Sequence, residues 1–110
     1  MNHSPLDTKH YEWQKIVAES RKLKELATSG HWVNFLALSE ARLKHMKQFF
    51  HEYPKNDENL NQLIMDDIQW IKRDDMYIQN LVNTRQEALA GDLGSLQEGI
   101  RVVKQYQSFS

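Results

Sequence analysis

Apolar residues recur along this chain at steps of three and four, the spacing that puts side chains on one face of an α-helix, and turn residues interrupt the rhythm at three places. The first run places Leu6, Trp13, Ile16, Val17, Leu23 and Ala27 on one side of a helix predicted over residues 5–28. Ser4 is a capping residue, and Pro5 suits the first helical position, where its missing N–H would have no partner anyway. Thr28-Ser29-Gly30 closes that helix. The second run, over residues 32–53, reads Trp32, Leu36, Ser39, Leu43, Met46, Phe50, Tyr53. Its alternating steps of four and three make a heptad seam, which Phe35 and Phe49 widen. Pro54 forbids continuation, and Lys55-Asn56-Asp57 forms a loop.

The third run is the longest. Asp57 is a good cap, and residues 58–90 contain neither Gly nor Pro before Gly91, which predicts a rod on the order of 50 Å long. Leu60, Leu63, Ile64, Ile68, Ile71, Ile78, Leu81, Val82 and Leu89 form its apolar stripe, with Trp70 and Tyr77 along one edge. At roughly 100° per residue the stripe spans about half the circumference, more than one antiparallel neighbour requires. A fourth helix, over residues 93–108, is short, with Leu93, Leu96, Ile100 and Val103 on one face. Gly99 in its middle costs about 1 kcal/mol relative to alanine. The pattern therefore predicts an all-α fold. Three main helices with a long third form an antiparallel bundle, the short C-terminal helix docks on the remaining apolar surface, and residues 1–110 make one domain.

Composition agrees. Four Gly and two Pro are too few for the turns of a sheet protein, and 40% hydrophobic with 26% charged residues is globular. A net charge of -1 gives no electrostatic footprint for direct nucleic-acid binding. The charge is uneven: residues 1–51 hold eight Lys or Arg against five Asp or Glu, and residues 52–110 hold six against ten. The absence of cysteine points to a reducing compartment, here the cytoplasm, and removes thiolate chemistry. No apolar stretch approaches the roughly 20 residues of a membrane span. The first residues, Met-Asn-His-Ser-Pro-Leu-Asp, lack the pattern of a signal peptide.

The search for chemistry yields a binding protein, not an enzyme. The five His stand at 3, 10, 31, 45 and 51, none three or four residues from another, so no helix face offers a zinc pair, and no cofactor motif occurs. His45 and His51 read as surface residues. Asp66-Asp67 and Asp74-Asp75 are paired carboxylates, but no histidine, nucleophile or oxyanion donor lies near them in sequence. Pairing with Lys or Arg of the first or second helix is the better reading. Arg85 continues the 64-71-78 row and reads equally as a buried, paired Arg or as one awaiting a partner's carboxylate. Met65 and Met76 lie off the stripe.

These features together resemble the FliT family of flagellar type III export chaperones. The likeness is carried by Trp13-Gln14-Lys15-Ile16, by Leu23-Lys24-Glu25-Leu26-Ala27 and by Gly30-His31-Trp32. It continues through Asp74, Leu81-Val82, Arg85 and Glu87 of the third helix to Tyr106, so it spans most of the chain. Between Asn34 and Tyr53 only the pattern agrees. The resemblance implies a cytosolic chaperone for the filament-cap protein FliD. It also implies contacts with the export ATPase complex FliI/FliJ, with the export gate FlhA and with the transcription activator FlhDC, and a last helix that covers part of the client site. On that reading Ile64, Ile68, Ile71, Ile78, Leu81 and Val82 bind client, Asp74 and Arg85 fix its register, and Leu96, Ile100, Val103 and Tyr106 belong to the gating helix. The alternative is a structural bundle whose stripe serves self-association, as in a homodimer, without a client.

Overall fold

A computed structural model of the chain describes residues 5–53, 57–84 and 94–108, with side chains over 8–53, 57–84 and 96–105. Among them are four helices, α1 (Pro5–Ser29), α2 (Trp32–His51), α3 (Glu58–Thr84) and α4 (Gly94–Ser108), and no strand. Ser4, Arg85, Leu89, Gly91 and Leu93, and the side chain of Tyr106, lie outside the described residues.

Local chemistry sets the ends. Gly30 adopts φ 78°, the left-handed conformation that glycine reaches without a Cβ penalty. The Gly30 N–H donates to the Ala27 carbonyl at 3.2 Å, and the His31 N–H to the Leu26 carbonyl at 2.9 Å. This is a Schellman closure, and it turns the chain directly into α2. The second helix stops at His51, two residues short of the predicted Tyr53, because the residue before Pro54 is driven out of helical conformation. Asp57 caps α3 as expected: its Oδ1 accepts the Leu60 N–H at 3.0 Å.

The helices form a ring of four. The first packs on α2 and α3, and α4 packs on α2 and α3, so that α2 and α3 sit at opposite corners and do not touch as helices. The all-α fold of four helices, with α4 docked on apolar surface, is as expected, and the arrangement adds that α4 closes a ring between α2 and α3. Successive helices run in opposite directions. The sequence-distant neighbours α1 and α3 run the same way, since Trp13 meets Asp67 and Lys24 meets Asp74. The breadth of the α3 stripe has a simple cause: one side faces α1 and the other faces α4.

The α2 seam is also rotated by one residue from the predicted row. Its fully buried positions are Phe35, Ser39, Arg42, Met46 and Phe49, with Leu43 at the margin. Trp32, Leu36, Phe50 and Tyr53 are half-buried edges. Near one end of the bundle Trp13, Phe49, Phe50 and Tyr53 form a cluster of tilted and edge-on rings, with Trp13 and Phe49 centroids 5.3 Å apart. Such pairs add to the area they bury.

Candidate functional site

Because α2 and α3 are held apart, α1 forms the floor and they form the walls of a trough one helix wide, and α4 lies in it. Its Leu96 and Ile100 join a cluster made by Leu23, Leu26 and Ala27 of α1, Phe35 of α2, and Ile78 and Val82 of α3. Further along, Val103 joins a second cluster with Trp13 and Ile16 of α1, Met46 and Phe49 of α2, and Ile64, Ile68 and Ile71 of α3. Leu96 and Val103 are each 1% exposed. Fully burying one such side chain contributes about 1.5–3 kcal/mol.

A polar layer separates the two clusters. Arg42 of α2 spans the core to Asp75 of α3, its Nη1 donating to Oδ1 at 3.0 Å and its Nη2 to Oδ2 at 2.7 Å. The same Nη1 donates to Ser20 Oγ of α1 at 3.1 Å, and that hydroxyl donates to the Ile16 carbonyl at 2.9 Å. Arg42 and Asp75 are each 1% exposed. Burial pushes the Asp75 carboxyl above the ordinary carboxylate range, against the opposing pull of the Arg42 guanidinium. From α4, Gly99 lies against the layer: a Cβ there would stand 3.4 Å from Arg42 Nη2. At the rim, Glu98 is held below its ordinary value, first by its bond with Lys47 of α2.

The predicted client residues fall in three groups. Ile64, Ile68, Ile71, Ile78 and Val82 are buried and build the α3 wall, where α4 covers them. Leu81 is half-buried at the edge of that wall. Asp74 is elsewhere, on the α1 flank, where its Oδ1 accepts from Lys24 Nζ at 3.4 Å. The adjacent Asp75 is the carboxylate that faces the trough. Leu96, Ile100 and Val103 of the predicted gating helix are all buried. The expected pairing of Asp74 and Asp75 with Lys or Arg of the first and second helices is found, as Asp74 with Lys24 and Asp75 with Arg42. Sequence reasoning missed Arg42 as a buried member of the α2 seam, and Ser20 beside it. The available signal was the row 35-39-42-46-49, which alternates four and three as regularly as 32-36-39-43-46-50-53, but carries Arg42.

The remaining polar groups are structural. Asp67 accepts the indole N–H of Trp13 at 2.8 Å and that of Trp70 at 3.0 Å. Arg21 and Lys24 of α1 stack over Trp70 and Tyr77, and seal the α1–α3 flank. His45 is not a plain surface residue, since its Nδ1 lies 2.8 Å from Glu19 Oε2, whereas His51 is exposed. Met65 is half-buried and Met76 exposed. Among the described residues no group of three His, Cys, Asp or Glu is placed to hold a metal, and no helix is long and apolar enough to cross a membrane.

The family model described as the flagellar protein FliT matches residues 11–108, which takes in all of α2 and α3, α4 to its end and most of α1. No curated protein and no solved structure matches the chain. On the span of that match the chain belongs to the FliT family of flagellar chaperones.

Proposed function

We propose that the chain is a cytoplasmic export chaperone that holds a helical C-terminal segment of the filament-cap protein FliD in the trough between α2 and α3, in place of α4. The observation that carries this reading is that α4 packs on both α2 and α3, which do not pack on each other. Recognition is of the helix-in-groove kind, in which apolar anchors at helical spacing enter a groove. Ile68, Ile71, Ile78 and Val82 supply the α3 wall, with Ile64 and Leu81 at its ends. Phe35 and Met46 supply the facing wall. Arg85, on the continuation of the α3 row, is assigned to register. Delivery then involves FliI/FliJ and FlhA, and the same exchange of α4 links cap-protein supply to FlhDC and flagellar gene expression. Family membership supports these partners as a set.

The test is a chain ended after Gly91, compared with the intact chain for affinity toward a FliD C-terminal segment and for melting temperature. Without the competing helix, affinity is expected to rise by about ten-fold or more, equivalent to about 1.4 kcal/mol, with a modest loss of stability. Weaker binding together with a large loss of stability defeats the reading, because α4 is then an inseparable part of the core.

A further inference from the structure

The polar layer of the bundle is incomplete, and the gap faces α4. A guanidinium carries five N–H donors in a rigid plane. In Arg42 three are used: two by Nη1, to Asp75 and Ser20, and one by Nη2, to Asp75. The two left over are Nε–H and the second N–H of Nη2. In the planar group they point the same way, as a second two-pronged edge. Nε has no partner among the described residues although the side chain is 1% exposed. Ser39 Oγ, one turn earlier in the same α2 seam, is likewise buried and unpartnered. Against Nη2, one of the two nitrogens with a donor left over, stands Gly99, where α4 has no side chain to offer.

We propose that the trough selects helices that present a serine opposite Arg42, and that α4, with glycine at that level, is an incomplete occupant which a serine-bearing partner helix outcompetes. This rests on the exchange of α4 for a partner helix proposed above. The dimensions decide the residue. A Cβ at 3.4 Å from Nη2 is in ordinary contact, so a hydroxyl carried on it reaches bonding distance of Nη2 in a rotamer turned toward the guanidinium. Asparagine or glutamine would bring several more heavy atoms to a place where Cβ is already in contact. A carboxylate would add a second negative charge beside Asp75, which already neutralises Arg42. The unmet donors also explain the preference energetically: a hydrogen bond to a charged group contributes more than a neutral one, and a buried donor left unpaired is destabilising.

The test uses the intact chain and two variants, Gly99→Ser and Gly99→Ala. Both remove the helix penalty of glycine, and alanine is the better helix former. A layer indifferent to acceptors would therefore protect α4 at least as well with alanine. Amide hydrogen exchange in α4 is expected to be about ten-fold slower in the serine variant than in the alanine variant. Equal protection, or slower exchange with alanine, overturns the inference, since the serine hydroxyl is then bonding back to its own helix. In a second arm, synthetic copies of residues 94–108 with Ser or Ala at position 99 are titrated into the intact chain up to a concentration on the order of 1 mM, comparable with the effective concentration of a tethered helix. The serine peptide is expected to bind about ten-fold more tightly. Equal binding by both overturns the serine preference and leaves helix exchange standing. No binding by either overturns helix exchange, and partner selection falls with it.

Discussion

Replacing Arg42 by methionine tests whether the central layer is held by charge pairing or merely tolerates it. Methionine keeps much of the apolar stem and removes the guanidinium, so Asp75 loses both donors, at 3.0 and 2.7 Å, while remaining 1% exposed. Ser20 keeps a bond to the Ile16 carbonyl and adds little to the loss. Breaking a buried pair by deleting one partner costs about 3–5 kcal/mol. Part of that is relieved by protonation of Asp75, whose carboxyl already lies above its ordinary value, at about 1.4 kcal/mol per pKa unit of displacement. For a domain whose whole stability is about 5–15 kcal/mol, Arg42→Met should leave a marginal fold. Adding Asp75→Leu removes the stranded charge. The double variant is expected to recover most of the loss, and an exchange of this kind is often neutral or stabilising by about 1–4 kcal/mol. Urea denaturation followed by far-UV circular dichroism on the wild type, both single variants and the double variant gives the coupling energy. If the losses from the single variants simply add in the double variant, the two side chains do not interact, and the layer described here is wrong.

Asp57→Ala removes the acceptor for the Leu60 N–H and should cost about 0.5–2 kcal/mol in urea denaturation, and no measurable change would mean that the cap contributes nothing. Trp13→Phe keeps an aromatic ring against Phe49 but deletes the indole N–H that Asp67 accepts at 2.8 Å, and a loss of about 1–3 kcal/mol is expected; a stability within error of wild type would show that the bond to Trp70 satisfies Asp67 alone. The pH dependence of Asp75 has a definite sign. Its folded carboxyl is raised by burial, so the folded state holds the proton more tightly than the unfolded state. Its contribution to stability is fully present below the ordinary carboxylate value of about 4 and declines as pH rises through the raised folded value. Relative to Asp75→Asn, the wild type should therefore lose stability across that window on going toward neutrality; a gain over the same range would show that the Arg42 guanidinium outweighs burial.

The parts of the fold that could be read from the sequence are those decided within a few residues. Gly30 ends α1 because only the backbone of that turn matters, and Asp57 starts α3 because its carboxylate needs only the amide three residues on. The width of the α3 stripe was equally local, and it implied more than one neighbour. What it could not name was which neighbours. Periodicity measures how much of a helix is covered, while the ring order depends on how four such faces share one interior. The rotated α2 seam shows the same limit at the level of single residues. Rows 32-36-39-43-46-50-53 and 35-39-42-46-49 are equally periodic, and hydrophobic count favours the first because the second contains Arg42. Burial of that Arg depends on Asp75, on a helix whose backbone does not approach that of α2. No pattern within α2 carries that information.

The same reasoning explains why α4 occupies one register in a trough lined mostly by interchangeable aliphatic side chains. Ile64, Ile68, Ile71, Ile78 and Val82 offer a nearly uniform wall, along which an apolar helix shifted by one turn would lose little contact. Arg42 and the apolar clusters on either side of it remove that freedom. In the observed register Gly99 meets the guanidinium, whose Nη2 lies 3.4 Å from the Cβ position. A shift of four residues in one direction brings Val103 to that level, and its β-branched methyls would press on a charged edge that has no room for them and no use for an apolar partner. A shift of three in that direction brings Val102, with the same consequence, and a shift of three the other way brings Leu96, which is larger still. A shift of four the other way brings Ser95, which the guanidinium would accept, but the same shift carries Asp92 to the level of Leu96 and Gly99 to that of Val103, so a carboxylate enters one apolar cluster and the other loses its side chain. The glycine that weakens α4 as an isolated helix is therefore the residue that lets it lie across the ion pair, and the buried charge that weakens the core is what assigns the helix its place.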